Sequence, residues 1–426
     1  MNRLILILAA LLAAPAMADT TAIVGGKVVT VGPPGTIENG TVLIVDGRIV
    51  AVGDDVEVPS GADVIDASGK VVTPGLFSPL SQLGLVEVSS SAGPTDGSQR
   101  GEQFTAGFDV ADAYNPRSTL IAINRIEGVT RTVSAPSPGY PDESGGGHII
   151  AGLAAVVNLG DSDAIDMRNA AVVVALGESG SYFTGGTRSA AWLTLRNALD
   201  EALDYRDHKA DFERGMRRTY VHSMADLEAL QGVINGNTPM IVSVNRASDI
   251  EVLMGFVDEY SVQAIIFGGA EAWMLADKLA AADIPVIVDP TANLPGSFDS
   301  INARLGAATV LANAGVKIAI GDGDTHNARN LTQAAGNAVA HGLDWDAALR
   351  AITLAPAEIF GMASTAGSLE VGKAADVVIW PGDPLELTNY PDQVFVKGKA
   401  VPMVSRQTLL RDRYLQTDGG PPAYRN

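Results

Sequence analysis

The sequence predicts an α/β protein: a (β/α)₈ barrel of the TIM type with a small β-sandwich domain built from both chain ends. Buried apolar runs alternate with amphipathic stretches over residues 73–365, which is typical of strands followed by helices. Short strand-like runs joined by tight turns occupy residues 19–72 and 366–405. A chain of 426 residues is also long enough for one large barrel or for two to three domains.

The two strand-rich ends are predicted to form one composite domain. In residues 40–52 the pair Asp46-Gly47 joins two apolar runs, and this favours a β-hairpin with a type I′ turn. A second hairpin is predicted over residues 393–401, around Lys397-Gly398. Neither end is large enough to bury both faces of a sheet alone. We therefore expect the ends to pair, with the middle of the chain inserted between them.

The middle of the chain carries continuous apolar runs rich in β-branched residues, which are typical of parallel strands covered on both faces. The runs lie at residues 149–151, 171–176, 240–244, 264–267, 285–288 and 316–320, and the helices predicted between them include 247–258, 271–282 and 328–340. This repetition indicates the barrel, and a doubly wound sheet is the structural alternative. No G-x-G-x-x-G motif follows a strand, so a dinucleotide site has no support.

The start of the chain is similar to a secretory signal peptide. Arg3 precedes an apolar run at residues 4–12, and Ala16-Met17-Ala18 is a small-x-small cleavage signal. We therefore predict that residues 1–18 are removed near Ala18 and that the protein is periplasmic or secreted. The apolar run is too short for a stable membrane span, and an uncleaved anchor is the alternative. Residues 406–426 are predicted to form a C-terminal tail.

Charge and composition exclude several function classes. The chain has 29 basic and 49 acidic residues, a formal charge of −20 that repels nucleic-acid phosphates. It has no Cys, which excludes disulfides, thiolate metal sites and cysteine nucleophiles. It has only five His, at positions 148, 208, 222, 326 and 341. His222 lies at a predicted helix start, where a polar capping role is the simple account.

Several segments are similar to those of a known family. They are VTPGLF at residues 72–77, NRASDI at 245–250, GGAEA at 268–272, GVKIAIG at 315–321, NARNL at 327–331, AIT at 351–353, PAE at 356–358 and GSLEVGKAADVV at 367–378. In these segments and in its domain order the chain resembles the amidohydrolase superfamily, and within it an imidazolonepropionase-like, periplasmic branch. The resemblance implies a hydrolase of C–N bonds in amides or cyclic amides, with water activated by one or two metal ions.

The same resemblance implies metal ligands, most of which are replaced in this chain. Aligned on residues 72–77, the H-x-H pair of the family falls on Leu80 and Gln82. The histidine expected on the fifth barrel strand falls on Ser243, and the His-Gly pair of the sixth falls at Gly268. Leucine cannot ligate a metal, so we expect the fold of the family but an altered metal centre.

The loop after the predicted eighth strand holds the remaining candidates for chemistry. Asp322 and Asp324 both stand where the family has one aspartate, and His326 follows them. We take Asp324, Asp322 and His326 as the candidate catalytic residues, with Asp324 as the residual base or as a ligand of one weakly held divalent ion such as zinc. The alternative is that the aspartates cap the next helix and the histidine is merely exposed.

Two hypotheses follow for the function. The first is an exported hydrolase that acts on a small amide-like molecule through an altered centre. The second is a catalytically inactive binding protein, or a partner subunit of an active amidohydrolase paralogue; a homo-oligomer is also possible in either case, whereas nucleic acid and a stable membrane span are not expected. The residues expected to line the substrate pocket are Leu80, Gln82, Ser243, Asn245, Arg246, Gly268, Glu271, Asn327 and Arg329.

Overall fold

The computed structural model describes residues 19–88, 93, 95–99, 104–138 and 148–415, and these form two eight-stranded sheets surrounded by helices. The predicted signal peptide lies outside the described residues. The first sheet contains β1 (Thr20–Val29), β2 (Thr36–Val45), β3 (Arg48–Gly53), β4 (Asp63–Asp66), β5 (Val71–Pro74), β14 (Val377–Trp380), β15 (Gln393–Val396) and β16 (Lys399–Ala400). The second contains β6 (Leu76–Ser81), β7 (Val129–Ser134), β8 (Ile150–Asn158), β9 (Ile165–Ala175), β10 (Met240–Val244), β11 (Ala264–Gly268), β12 (Val286–Val288) and β13 (Ile318–Ile320).

The first sheet joins the two chain ends. Strand β14 pairs antiparallel with β5, with Val377 opposite Pro74. Asp46 and Gly47 both have positive φ, at 47° and 79°, as a type I′ turn requires. A Cβ on Gly47 would lie 2.6 Å from the carbonyl oxygen of Lys397, so the two predicted hairpin turns are packed against each other. The sheet from both ends is thus confirmed, and its strands form one continuous hydrogen-bonded sheet.

The second sheet has its strands in chain order from β6 to β13, without the reversal of a doubly wound sheet, so that alternative is wrong. Most neighbouring strands are parallel, but β8 is antiparallel to both β7 and β9. Only residues 159–164 separate β8 from β9, which is too short for a helical crossover. The predicted barrel class is therefore confirmed. It differs from eight parallel strand–helix repeats in one strand, β8, which runs in the opposite direction.

The edges of this sheet approach each other at β6 and β13. Pro79 on β6 has no N–H to offer to a ladder, and a Cβ on Gly321, just after β13, would lie 2.8 Å from Pro79 Cγ. The backbone N–H of Gln82 donates to Thr325 Oγ1 (3.1 Å) next to this contact. Packing and a loop hydrogen bond thus bring the two edges of the barrel-like sheet together.

Most helices pack around the second sheet, but α10 packs against the cluster that contains Phe77, Ile241 and Ala319, and α11 has no buried residue. Two of the three predicted helices begin as short 3₁₀ turns, at Ala272–Leu275 and Ala328–Asn330. Among the described residues, no helix combines the length and apolar character that a membrane crossing requires. The helices are α1 (Thr119–Arg125), α2 (Gly177–Phe183), α3 (Arg188–Glu213), α4 (Met224–Ile234), α5 (Ala247–Tyr260), α6 (Ala276–Ala281), α7 (Ala307–Asn313), α8 (Leu331–Ala340), α9 (Trp345–Ala351), α10 (Leu354–Ile359) and α11 (Arg406–Leu415).

A buried ion cluster links the two sheets. Arg131 on β7 donates through Nε to Asp376 Oδ2 (2.7 Å), just before β14, and through a guanidinium nitrogen to Asp166 on β9. Its side chain is only 4% exposed, and those of Asp376 and Asp166 are 5% and 9% exposed. Lys397 adds a second cation, with Nζ 2.8 Å from Asp166 Oδ1. The barrel-like sheet and the sheet from the chain ends are thus joined by paired buried charges.

Candidate functional site

A pocket of about 260 Å³ opens at the carboxyl ends of the strands of the barrel-like sheet. This is the end at which barrel enzymes of this architecture place their active sites. The described residues that line it follow or end strands β6, β7, β9, β10, β11 and β13. They are Leu80, Ser81, Gln82, Ala135, Pro136, Ser137, Pro138, Val173, Val174, Ala175, Ser179, Ile241, Ser243, Phe267, Asp322 and Gly323.

The wall of the pocket is mostly apolar, and its shape depends on one glycine. Gly323 has a φ of +77°, which L residues rarely adopt. A Cβ at this position would lie 2.8 Å from Phe267 Cζ and 3.7 Å from Leu80 Cδ2. The chain therefore turns back against the phenyl ring and the leucine, and the neighbouring Asp322 is held next to the same apolar wall.

Two polar side chains at predicted positions reach the pocket from β6 and β10. Gln82 is held in place because its Nε2 donates to the carbonyl of Gly97 (3.1 Å) and to Ser137 Oγ (3.3 Å). The hydroxyl of Ser243 has no hydrogen-bond partner within the described ranges. Gln82 is thus a fixed part of the wall, whereas Ser243 is available to a ligand.

Asp322 is the one charged residue among the described residues that line the pocket. The residue is exposed at the opening, yet the surrounding protein partly desolvates its carboxyl and raises its pKa above the ordinary value. The carboxylates of Asp289 and Asp324 raise this pKa further by repulsion, while a hydrogen bond from the Asp324 N–H (2.9 Å) acts in the opposite direction. Asp289, which follows β12, is a neighbour that the sequence analysis missed.

The structure places Asp324 and His326 outside the described pocket lining. The carboxylate of Asp324 accepts hydrogen bonds from the backbone N–H (3.1 Å) and the side-chain Nδ2 (3.0 Å) of Asn327. His326 Nε2 lies 3.4 Å from Nε2 of Gln407 on α11. Asp324 thus orders the loop before the 3₁₀ turn at Ala328–Asn330, and the helix cap given as its alternative role is not formed there.

Other predicted pocket residues hold the loops around the opening instead of lining the pocket. Asn245 Oδ1 accepts from the backbone of Ala270 (3.3 Å) and occupies the space that a side chain at Gly268 would need. Buried Glu271 accepts from the backbone of Ala247 (2.9 Å). These polar residues satisfy backbone groups near the ends of β10 and β11, so their role is to shape the pocket rim.

The two predicted arginines and Asn327 are also engaged in the rim. Arg246 contacts Asp249 on α5, with its guanidinium 3.1 Å from Oδ1. Arg329 donates to Gln407 Oε1 (3.0 Å), and its other guanidinium nitrogen lies 3.5 Å from Asn327 Oδ1. Of the predicted pocket residues, the structure thus brings Leu80, Gln82 and Ser243 together with Asp322.

The described pocket residues do not fit the kind of metal centre that the fold family implies. Zinc centres take three or four N, S or O ligands from His, Cys and carboxylates. Here Leu80 has no donor atom, Gln82 is already hydrogen-bonded, and the described lining residues supply a single carboxylate. In the part of the chain that the structure describes, no group of three or more His, Cys, Asp or Glu side chains could hold a metal ion.

A buried histidine cluster lies beside the start of β8, and no pattern in the sequence indicated it. Glu201 on α3 accepts from His222 Nδ1 (3.0 Å), and the ring of His222 meets His148 edge to face with centroids 5.7 Å apart. His222 Nε2 is buried and has no hydrogen-bond partner in the described chain. Burial, with the nearby His222, lowers the pKa of His148 to about 4. The helix cap predicted for His222 is formed by its neighbour Ser223.

Replacing Glu201 with Gln is expected to destabilise the protein by about 1–3 kcal/mol at pH 7, because buried N–H groups lose their charged acceptor. Burial tends to raise the pKa of Glu201, but hydrogen bonds from the Val221 backbone and from His222 hold it below the usual value. The contribution is therefore present at neutral pH and lost as the pH falls through that lowered pKa. Urea unfolding at several pH values measures it.

The exposed Glu213, at the end of the same helix, supplies the matched control. Glu213→Gln is expected to change the free energy of unfolding by less than about 0.5 kcal/mol. Equal losses in the two variants, or a loss at Glu201 that does not shrink in acid, would contradict a buried charged acceptor.

Comparisons with known proteins agree with this fold. Residues 200–401 match the amidohydrolase family. A curated relative, "Amidohydrolase tasK" of Hapsidospora irregularis, is 23% identical over 376 residues, which covers 81% of this chain and 38% of that protein. The chain thus spans well under half the length of this relative.

Solved structures show the same architecture. An amidohydrolase from Thermotoga maritima superposes with a TM-score of 0.79 at 23% identity, over 90% of this chain and 99% of that one. Molinate hydrolase gives 0.58 at 18% identity, over 91% and 95% of the two chains. A prolidase complexed with N-methylphosphonate-L-proline gives 0.53 at 18% identity, over 90% and 99%. At such identities the likeness shows the fold.

The barrel-like sheet with a second sheet from both chain ends is the fold of the amidohydrolase superfamily, and residues 200–401 form an amidohydrolase family domain. The family resemblance noted in the sequence is therefore confirmed. The finer placement in an imidazolonepropionase-like branch stays a prediction.

Proposed function

We propose that this protein is a hydrolase that cleaves the C–N bond of a small amide or cyclic amide in the pocket at the barrel mouth. The observation that carries the proposal is Asp322, a partly desolvated carboxyl with a raised pKa in an apolar pocket of about 260 Å³. A carboxyl in such a place is suited to proton transfer. Export after cleavage near Ala18 is part of the proposal, because the first residues have the pattern of a signal peptide.

The chemistry follows from the residues in the pocket. Asp322 as carboxylate takes a proton from a water molecule whose oxygen attacks the amide carbon, and it passes that proton to the nitrogen as the C–N bond breaks. The hydroxyl of Ser243, which has no partner among the described residues, is available to donate to the carbonyl oxygen, on which negative charge develops. The apolar wall around Leu80 and Phe267 limits bulk water. No step is assigned to a metal, because the described donors do not fit one.

A second candidate is a binding protein, or a partner subunit of an active paralogue, that does not turn substrate over. The specific observation in its favour is that Leu80 and Ser243 occupy positions where the family resemblance implies metal-binding histidines. Such a protein would keep the pocket and lose the activated water. The hydrolase comes first because a proton-transfer group remains in the pocket.

The deciding experiment measures turnover and metal content together. The protein is expressed with its own leader, its mature N-terminus is determined by mass spectrometry, and its metals are measured by elemental analysis. A panel of amides, lactams and dipeptides is then assayed before and after chelation. We expect slow hydrolysis of a small apolar amide that survives chelation. No hydrolysis across the panel, with panel compounds still raising the melting temperature, would overturn the hydrolase in favour of the binding protein.

A further inference from the structure

The charges around the pocket indicate which half of an amide it holds. This inference rests on the proposed function. We propose that the pocket binds the amine half of the substrate, with the nitrogen beside Asp322 and the apolar part of the amine against Phe267. The substrate class is then small amides of apolar amines that carry no anionic group on the amine side.

The first observation is the sign of the charge in the pocket. Asp322 is the only charged group among the described lining residues, and no Arg, Lys or His lies among them. The carboxylates of Asp289 and Asp324 are close enough to repel that of Asp322. An anionic ligand would meet the carboxylate of Asp322 and no cation among the described lining residues, whereas a protonated amine would find a partner. A carboxylate-bearing amine half, such as the proline end of a dipeptide, is therefore disfavoured.

The second observation is an aromatic ring in the same pocket. Gly323, the residue after Asp322, lies against the phenyl ring of Phe267 so closely that no Cβ fits between them. Asp322 and Phe267 line the same pocket. A carboxylate and an aromatic ring in one pocket can together bind the ammonium of an apolar amine, since an aromatic ring attracts a cation and also packs against apolar carbon. Ile241 and Val173 continue the apolar wall.

The proposed reaction produces a ligand of this kind. Water adds its oxygen to the carbonyl carbon, the C–N bond breaks, and the nitrogen leaves as an amine with the proton that Asp322 transfers. At neutral pH the amine gains one more proton from solvent and the acid product loses one. The resulting ammonium pairs with Asp322, while the carboxylate product has no cation among the described lining residues and is expelled first.

Binding of three probes of similar size tests this inference without any turnover: benzylamine, benzyl alcohol and benzoate, measured by titration calorimetry at pH 7. We expect benzylamine to bind about tenfold more tightly than benzyl alcohol, and benzoate more weakly than either. Asp322→Asn should remove the preference for the amine and leave benzyl alcohol unchanged. Phe267→Leu should reduce the ratio of amine to alcohol affinity about two- to fivefold.

Asp277 on α6 is exposed and outside the pocket, so Asp277→Asn removes one negative charge as a control. The ratio of benzylamine to benzyl alcohol affinity should be the same in the Asp277→Asn variant as in the unmodified protein. This should also hold in about 0.5 M salt, where the general attraction of a cation to an acidic chain is screened. Equal affinity for amine and alcohol, or an equal loss of preference in the control, would overturn the inference and leave the hydrolase proposal standing. Amine-selective binding without hydrolysis of any amide would leave this inference standing and overturn the hydrolase.

Discussion

Replacing Arg131 with Met is expected to lower the free energy of unfolding by about 3–5 kcal/mol, because two buried carboxylates lose their shared cation. Arg131 joins Asp376, next to the sheet from the chain ends, with Asp166 in the barrel-like sheet. Methionine fills the space of the stem but leaves Lys397 as the cation next to Asp166, which also accepts from Asn158 Nδ2 (3.0 Å), and leaves Asp376 with the backbone N–H of Lys397. Urea unfolding followed by tryptophan fluorescence measures the loss.

Arg168 is the matched control, because it also pairs with two aspartates, Asp109 and Asp112, at 2.7 and 2.6 Å. Its side chain is 48% exposed, so Arg168→Met should cost only a small part of the stability lost at Arg131. Adding Asp166→Asn and Asp376→Asn to the Arg131 variant should recover much of its stability, since the cost comes from charges left unpaired. Equal losses at the two arginines, or no recovery, would contradict this account.

The hairpins and the strand runs could be predicted because their signals are local. A turn at Asp46-Gly47 needs only two residues with positive φ, and both have it. The direction of β8 could not be predicted, because an apolar run has the same composition in either direction. The short connection at residues 159–164 decides the direction of β8. The sequence did not reveal how short this connection is, because the start of β9 at Ile165 was not predicted.

The candidate site was predictable where a residue lies near the carboxyl end of a strand of the barrel-like sheet. Leu80, Ser243 and Asp322 line the pocket for this reason. Polarity alone was misleading at Glu271, which is buried in the rim and accepts backbone hydrogen bonds. Phe267 was missed because an aromatic residue at the end of an apolar run has the pattern of a core residue. Each of these differences depends on tertiary contacts that spacing along the chain does not encode.

Replacing Asp322 with Asn is expected to lower kcat/KM for amide hydrolysis by about 10²–10⁴-fold, because asparagine cannot accept the proton of the attacking water. In the unmodified protein the base must be ionised, so activity should fall as the pH drops through the raised pKa of Asp322. This loss of activity at low pH, the acidic limb of the pH profile, should be absent from the residual activity of the Asp322→Asn variant. Assays of kcat/KM from about pH 4 to pH 9 on an amide from the panel measure both effects.

Stability should change in the opposite direction to activity. A carboxyl whose pKa is raised by folding binds its proton more tightly in the folded state, so the ionised group costs stability above that pKa. The asparagine of the Asp322→Asn variant carries no such charge, and its side-chain oxygen can still accept from the Asp324 N–H. The variant should therefore be at least as stable as the parent at pH 7, in contrast to a residue whose role is structural.

Asp324 provides the comparison that decides which aspartate performs the chemistry. Its carboxylate accepts two hydrogen bonds from Asn327 and lies outside the described pocket lining. Asp324→Asn should change kcat/KM by only a few fold and keep an acidic limb, because the proton-transferring group is untouched; the limb should move to lower pH, because the repulsion that raises the pKa of Asp322 is reduced. If Asp324→Asn abolished turnover while Asp322→Asn did not, the two roles would be reversed, and the carboxyl in the pocket would serve only to bind the ligand.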